Sequence, residues 1–158
     1  MTKSALLAQI IARLSADLEQ LTSAALATHA EATDEENKAE DKYDTRGLEA
    51  SYLAHGQSKA AEEAAQAVAQ FQALPVRDFA AGEPISLGAL VVLEGKGRSL
   101  YFVGPRAGGT EIEADGRPVM VITPQSPLGR QIMGRKQGDT LALDFGGRKS
   151  DYRVASVA

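Results

Sequence analysis

From Met1 to Arg46 the chain contains neither Pro nor Gly, and its apolar or small residues recur at alternating spacings of four and three. The positions are Leu7, Ile11, Leu14, Leu18, Leu21, Ala25, and then Thr28 and Ala32. That alternation is the a/d repeat of a coiled-coil seam. A second run, from Leu48 to Leu74, is rich in Ala, Glu and Gln, and its seam reads Ala50, Leu53, Gln57, Ala60, Ala64, Ala67, Phe71 and Leu74. Small Ala side chains allow two helices to approach closely. Gly47 and Gly56 each weaken the second helix by up to ~1 kcal/mol if they lie in its interior. Pro75 ends it, because proline cannot continue the hydrogen-bond ladder.

One helix cannot bury its own seam. It pairs with another chain or folds back on itself. The apolar periodicity breaks between Glu31 and Arg46, near the middle of residues 1–75, which favours an intramolecular antiparallel hairpin over an intermolecular dimer. Each arm of about thirty residues is ~45 Å long at ~1.5 Å per residue.

The turn of this hairpin concentrates charge. Glu31, Asp34, Glu35, Glu36, Glu40, Asp41 and Asp44 place seven carboxylates in fourteen residues, against Lys38 and Lys42. Such a cluster serves either as a solvated acidic turn or to present oxygen ligands to a divalent cation. Magnesium suits the second role, because it keeps several waters and sits between a few protein carboxylates and another molecule's phosphates. The spacing is not that of an EF-hand loop, so no complete metal cage is encoded.

The rest of the chain has another character. Residues 1–75 hold 6 basic and 12 acidic side chains, whereas residues 76–158 hold 11 basic and 9 acidic ones. The net charge of −4 argues against general nucleic-acid binding by the whole surface. Cys is absent and His occurs only at positions 29 and 55, which excludes disulfides and Cys- or His-rich metal sites. The N-terminal apolar stretch is interrupted by Gln9 and Arg13 and reads as neither signal peptide nor membrane span, so the expected location is the cytoplasm.

Residues 76–158 read as a small β-rich domain. Strands are expected at residues 85–94, 99–103, 119–123, 140–145 and 152–157, with turns at Gly95–Gly97 and Gly146–Gly147. One short helix is expected after Ser126, with Ser as N-cap, Pro127 at the first helical position and Gly134 at its end. The expected core is Leu90, Val92, Leu100, Phe102, Val121, Ile132, Leu141, Leu143, Tyr152 and Val154. The fold class is therefore α+β, with a coiled-coil hairpin over 1–75 and a β-sheet domain with one short helix over 76–158.

The stretch from Ile122 to Asp139, ITPQSPLGRQIMGRKQGD, followed by a strand, a Gly-Gly hairpin and a strand, resembles the C-terminal domain of the Gre (GreA/GreB) transcription elongation factors. Leu100–Pro105, LYFVGP, resembles that domain's second strand and turn, and the acidic-tipped hairpin resembles the family's other half. The likeness spans nearly the whole chain. It implies an FKBP-like fold for residues 76–158 and docking of that domain on bacterial RNA polymerase at the secondary channel. It also implies a hairpin passing down the channel, with tip acids helping to hold the second Mg2+ of the polymerase active site. The polymerase then hydrolyses backtracked RNA, with the factor as a monomeric accessory that supplies no nucleophile. Contact with the backtracked RNA is indirect, and the family also carries a DNA-binding association.

At the tip the sequence departs from the family. Glu36-Asn37 is kept, but Asp34 stands one residue closer than the pattern, Lys38 is inserted before Ala39-Glu40, and Tyr43 is displaced. Asp34 and Glu36 are the carried-over metal ligands, with Glu35, Glu40 and Asp41 as competitors. The alternative is a Gre-like secondary-channel regulator that inhibits the polymerase without stimulating cleavage. Ser126, Pro127 and Arg130 are the expected partner-binding residues, and Arg130, Arg135 and Lys136 together could present a basic face to an acidic polymerase helix. Two other classes fit less well. A prolyl isomerase needs an aromatic-rich pocket, which Phe79, Tyr101, Phe102, Phe145 and Tyr152 supply poorly. A coiled-coil scaffold has no need for seven acids at its turn.

Overall fold

The computed structural model describes residues 1–33 and 46–158, and their side chains over 1–31 and 53–158. Two long helices come first, α1 (Lys3–Thr33) and α2 (Arg46–Ala73). Six strands follow, with one short helix between the fourth and fifth: β1 (Leu90–Glu94), β2 (Arg98–Val103), β3 (Glu111–Ala114), β4 (Arg117–Ile122), α3 (Pro127–Ile132), β5 (Thr140–Phe145) and β6 (Arg148–Val157). The expected α+β architecture is present. No described helix is long and apolar enough to cross a membrane.

Contacts divide the chain into two compact units, residues 12–69 and residues 1–11 with 70–158. The first unit is the body of the two helices. Leu14, Ala25, Ala54, Ala67 and Val68 are buried in it, while Leu18, Leu21 and Thr28 are half-buried, so the α1 seam runs where its spacing placed it. An Ala on a lone helix stays accessible, so the burial of Ala25 and Ala54 marks the two helices covering each other. The α2 seam differs from expectation at its start. Leu53 is 57% exposed, and its place is taken by Ala54 at 5%. Further along, Gln57, Ala60, Ala64 and Ala67 are covered as expected, and Ala61 and Val68 join them. In an Ala-rich stretch no large side chain marks the phase of the repeat, so neighbouring phases look alike in sequence. The expected seam positions Ala50 and Ala32 lie outside the described side chains.

The second unit is built on one sheet of order β3-β4-β2-β1-β6-β5. Every neighbouring pair is antiparallel except β2 and β4, which run parallel with Tyr101 beside Met120 and Phe102 beside Val121. β1 and β6 shift register between Val92 and Leu93, a bulge of the kind that bends a strand. Strand β3 escapes a reading by apolar runs, because Glu111-Ile112-Glu113-Ala114 alternates between exposed and half-buried residues at the sheet edge. Strand β1 begins at Leu90 rather than Ile85, since Leu87 and Gly88 form a turn, and β6 starts four residues before Tyr152.

The sheet buries both faces. On one, Val91, Leu93, Val103, Ile122, Leu143 and Val154 gather with Ile132 of α3. On the other, Phe102 stacks on Phe71 from the last turn of α2, and Leu90, Leu100 and Val119 line a cavity of about 320 Å3 shared with Met1 and Leu6. Because both faces are covered, strand residues of both parities are buried, and the alternating core expected from sequence was half of the true one. Of that set, Leu90, Leu100 and Tyr152 are only half-buried.

Two clamps fix the root of α1 within this unit. The Thr2 hydroxyl accepts from the Ala5 N–H at 3.1 Å, capping the helix, and the N-terminal ammonium pairs with Asp115. Lys3 Nζ lies 4.6 Å from the centre of the Phe79 ring and donates to the Arg77 carbonyl at 2.8 Å. The Arg77 guanidinium stacks on the same ring at 3.9 Å and pairs with Glu83 at 2.6 Å.

Candidate functional site

The segment Thr123–Gly134 is organised by a cap. Ser126 has φ −64° and ψ 157°, the extended conformation of an N-cap, and its Oγ accepts from the Gly129 N–H at 3.0 Å while donating to the Thr123 carbonyl at 2.8 Å. Pro127 occupies the first helical position, where no N–H is needed. Gly129 has no substitute, because a Cβ there would lie 1.8 Å from the Thr123 carbonyl oxygen. The buried Ile132 anchors the helix, and the Met133 N–H closes it on the Gly129 carbonyl at 2.9 Å.

Gln131 joins this helix to the sheet. Its amide donates to the Asp144 carbonyl at 3.1 Å and accepts from the Asp144 N–H at 2.8 Å, which satisfies an edge residue of β5. Beyond the helix, the Ile85 N–H donates to the Arg135 carbonyl at 2.8 Å and the Gly134 N–H to the Ile85 carbonyl at 3.0 Å. The polar groups of Ser126 and Gln131 thus have structural tasks, and the exposed Arg130 is left facing solvent.

Between α3 and the sheet lies an apolar groove of about 490 Å3. Its lining includes Tyr101, Met120, Ser126, Pro127, Leu128 and Phe145. Met120 and Phe145 are 37% and 41% exposed, and Phe145 leans edge-on against Tyr152 with ring centres 5.6 Å apart. A second hollow of about 460 Å3 continues from Tyr101 and Met120 to Arg98 and Arg117. Ser126 and Pro127 therefore border the groove as well as capping the helix. Arg130, Arg135 and Lys136 are exposed and line neither hollow, and Arg98 and Arg117 border the second one. Sequence reasoning missed Tyr101, Met120 and Phe145 as surface residues. Tyr101 and Met120 become neighbours through the parallel β2–β4 pairing, which no local pattern announces.

The acids expected to serve a metal, Asp34, Glu35, Glu36, Glu40 and Asp41, lie outside the described residues. Among the described residues, no group of three or more His, Cys, Asp or Glu side chains is placed to hold a metal ion. His29 and His55 are exposed on the helices.

No family model matches the chain. Curated relatives do. The transcription inhibitor protein Gfh1 of Thermus aquaticus is 30% identical over 124 residues, spanning 76% of this chain and 74% of that protein. A protein of the same description from Thermus thermophilus is 30% identical over 131 residues, spanning 76% and 75%. Among solved structures, the GreA factor homolog 1 (Gfh1) protein of Thermus thermophilus aligns over 94% of each chain at 22% identity and a TM-score of 0.39. The GreA/GreB elongation factor of Nitrosomonas europaea aligns over 70% of this chain and 91% of its own at 16% identity and a TM-score of 0.33. The structural scores are too low to add weight, and the assignment rests on the sequence relatives. On that ground the chain belongs to the Gre-like family of transcription factors, the group that includes Gfh1.

Proposed function

We propose that this chain is a regulator of bacterial RNA polymerase, acting as a monomer in the secondary channel and inhibiting transcription rather than stimulating RNA cleavage. The observation that carries this reading is the 30% identity, across three quarters of the chain, to proteins described as transcription inhibitors. The tip sequence supports it. Lys38 stands among the acids and Asp34 is displaced by one residue, so the carboxylates that a cleavage factor lends to a metal are spaced differently here.

In this reading residues 76–158 dock, using the groove bordered by Ser126 and Pro127 and the exposed Arg130. The hairpin of residues 1–75 reaches into the channel. Asp34 and Glu36, with Glu35, Glu40 and Asp41 beside them, supply hard oxygen donors suited to the Mg2+ of the polymerase active site. Their charge biases that metal and excludes substrate from the channel. Phosphoryl chemistry belongs to the polymerase, and this chain is an accessory factor.

Cleavage stimulation is the second reading, favoured by the retained Glu36-Asn37 pair. Both are decided by adding the full chain to backtracked elongation complexes across a magnesium titration. Slowed extension with no shortened RNA is the expected result. Release of short 3′ fragments, absent without the factor, would replace the inhibitory reading by the cleavage one. An absence of any effect on extension or cleavage would remove both.

A further inference from the structure

The groove beside α3 and the second hollow meet at Tyr101 and Met120, which line both, so they form one cleft with two unlike ends. At the α3 end the walls are apolar, with Leu128 and the exposed Phe145. At the other end stand Arg98 and Arg117.

The sheet brings these arginines together. Leu100 pairs with Val119 in the parallel β2–β4 ladder, and Arg98 and Arg117 each stand two residues earlier on their strands. Neighbouring strands lie ~4.8 Å apart, so the two cations occupy adjacent positions of one row. Like charges opposite each other on a sheet are destabilising. Both arginines are exposed, and among the described residues neither pairs with a carboxylate. Glu94, across from Arg98 on β1, is engaged by Arg153 at 3.1 Å, and Asp115, in the turn before Arg117, pairs with the N-terminal ammonium. Two unpaired cations held side by side at the end of an apolar cleft suit an anionic group from another molecule.

Glu111 gives the cleft a direction. It pairs with Met120 across β3 and β4, whereas Arg117 pairs with Ala114. Its carboxylate therefore belongs three residues, ~10 Å, along the strand pair from Arg117. An anion is attracted to one end and repelled from the middle. A nucleic-acid strand, charged at every nucleotide, would have to run past Glu111. Residues 76–158 also carry only 11 basic against 9 acidic side chains, a small excess for binding driven by counterion release. A protein segment suits both ends. We infer that the cleft receives one segment of the polymerase that places an apolar side chain in the α3 groove and a carboxylate between Arg98 and Arg117. This rests on the proposed docking to RNA polymerase and adds to it the chemistry of the segment bound there.

The test uses the full chain, RNA polymerase, and the variants Arg98→Gln, Arg117→Gln and the double change. Each single change should weaken polymerase binding about threefold, and the pair about tenfold, at about 50 mM salt. Near 0.5 M salt, where charges are screened within ~4 Å, the difference from the wild type should largely vanish. Thermal midpoints should not fall, because each change relieves a like-charge pair. Lys149→Gln removes one charge from a β6 residue that lines neither hollow and should bind as the wild type. Wild-type affinity in the double variant at low salt overturns the inference while leaving the docking reading intact. A loss that persists at high salt, or that comes with a lowered midpoint, overturns it in favour of a structural role. An equal loss in Lys149→Gln overturns it in favour of bulk charge. Binding of a single-stranded RNA oligonucleotide by the chain alone, abolished in the double variant, overturns it in favour of nucleic-acid phosphate. A wild-type chain that does not bind polymerase overturns the docking reading, and the inference with it.

Discussion

The Phe71 and Phe102 rings stack with centres 6.5 Å apart and planes at 30°, joining the last turn of α2 to strand β2. Gly104 stands at the end of that strand, and a Cβ added there would lie 2.5 Å from Phe71 Cζ. The glycine is required by the ring, since any side chain would displace the aromatic that seals this face of the sheet. Gly104→Ala should cost ~1–3 kcal/mol by overpacking, and Phe71→Ala ~3–5 kcal/mol by leaving a cavity. Urea denaturation followed by far-ultraviolet circular dichroism measures both, and an unchanged midpoint for Gly104→Ala would show that the ring gives way freely.

The helix motif allows its structural role to be tested apart from the proposed docking role. Ser126→Ala removes the cap acceptor and should lower stability by ~1 kcal/mol. Gly129→Ala drives a methyl into the Thr123 carbonyl and should prevent the turn from forming. Arg130→Ala touches no described partner and should leave the denaturation midpoint in place while weakening polymerase binding. Equal effects of the Ser126 and Arg130 changes on stability would refute that division.

The helical unit carries a correctable fault. Among the described residues Gln57 Oε1 is buried without a hydrogen-bond partner at a seam position, and Gly56 beside it has open space where a Cβ would be. Gln57→Leu should stabilise the hairpin by ~1–2 kcal/mol, since an unpaired buried acceptor is costly. Gly56→Ala should add ~1 kcal/mol from helix propensity. A higher thermal midpoint for each is the expected reading, and a fall for Gln57→Leu would mean that the amide has a partner in solution.

Acid should loosen the Arg77–Glu83 contact. The hydrogen bond from Arg77 holds the Glu83 carboxyl below its usual range, helped by the Ala80 N–H. Its contribution is complete above the unfolded carboxylate range and is lost as pH falls through the lowered folded value. Lys3 carries the opposite sign. Its burial against Phe79 lowers its pKa, so its desolvation cost is present at neutral pH and is relieved only as pH rises through the lowered alkaline value. Stability measured from pH 7 downward should therefore fall less steeply in Glu83→Gln than in the wild type, and parallel curves would contradict this.

The tip should act through a metal rather than through bulk charge. Asp34→Asn with Glu36→Gln should relieve inhibition with polymerase binding nearly intact, and higher Mg2+ should partly restore the effect. Glu62→Gln with Glu63→Gln removes the same formal charge far along α2 and should change little. Identical behaviour of the two double variants would sink the metal role.

Legibility followed the range of the interactions. The seam of α1, the end of α2 before Pro75, the Ser126 cap and the Gly146-Gly147 hairpin are set by neighbours within one turn of chain, and all four were readable from sequence. The family was readable too, because the Ile122–Asp139 motif is local. Other features depended on distant partners. The start of the α2 seam moved from Leu53 to Ala54 because an alanine run carries no phase until a facing helix selects one. Val91, Val119 and Ile122 are buried because both sheet faces are covered, one by α3 and the other by the roots of α1 and α2. The groove exists only because β2 and β4 pair in parallel and bring Tyr101 beside Met120. Sequence by itself determined the elements whose energetics close locally, whereas tertiary structure decided the sheet order, the second buried face and the groove beside α3, since those form when segments far apart in the chain exclude water together.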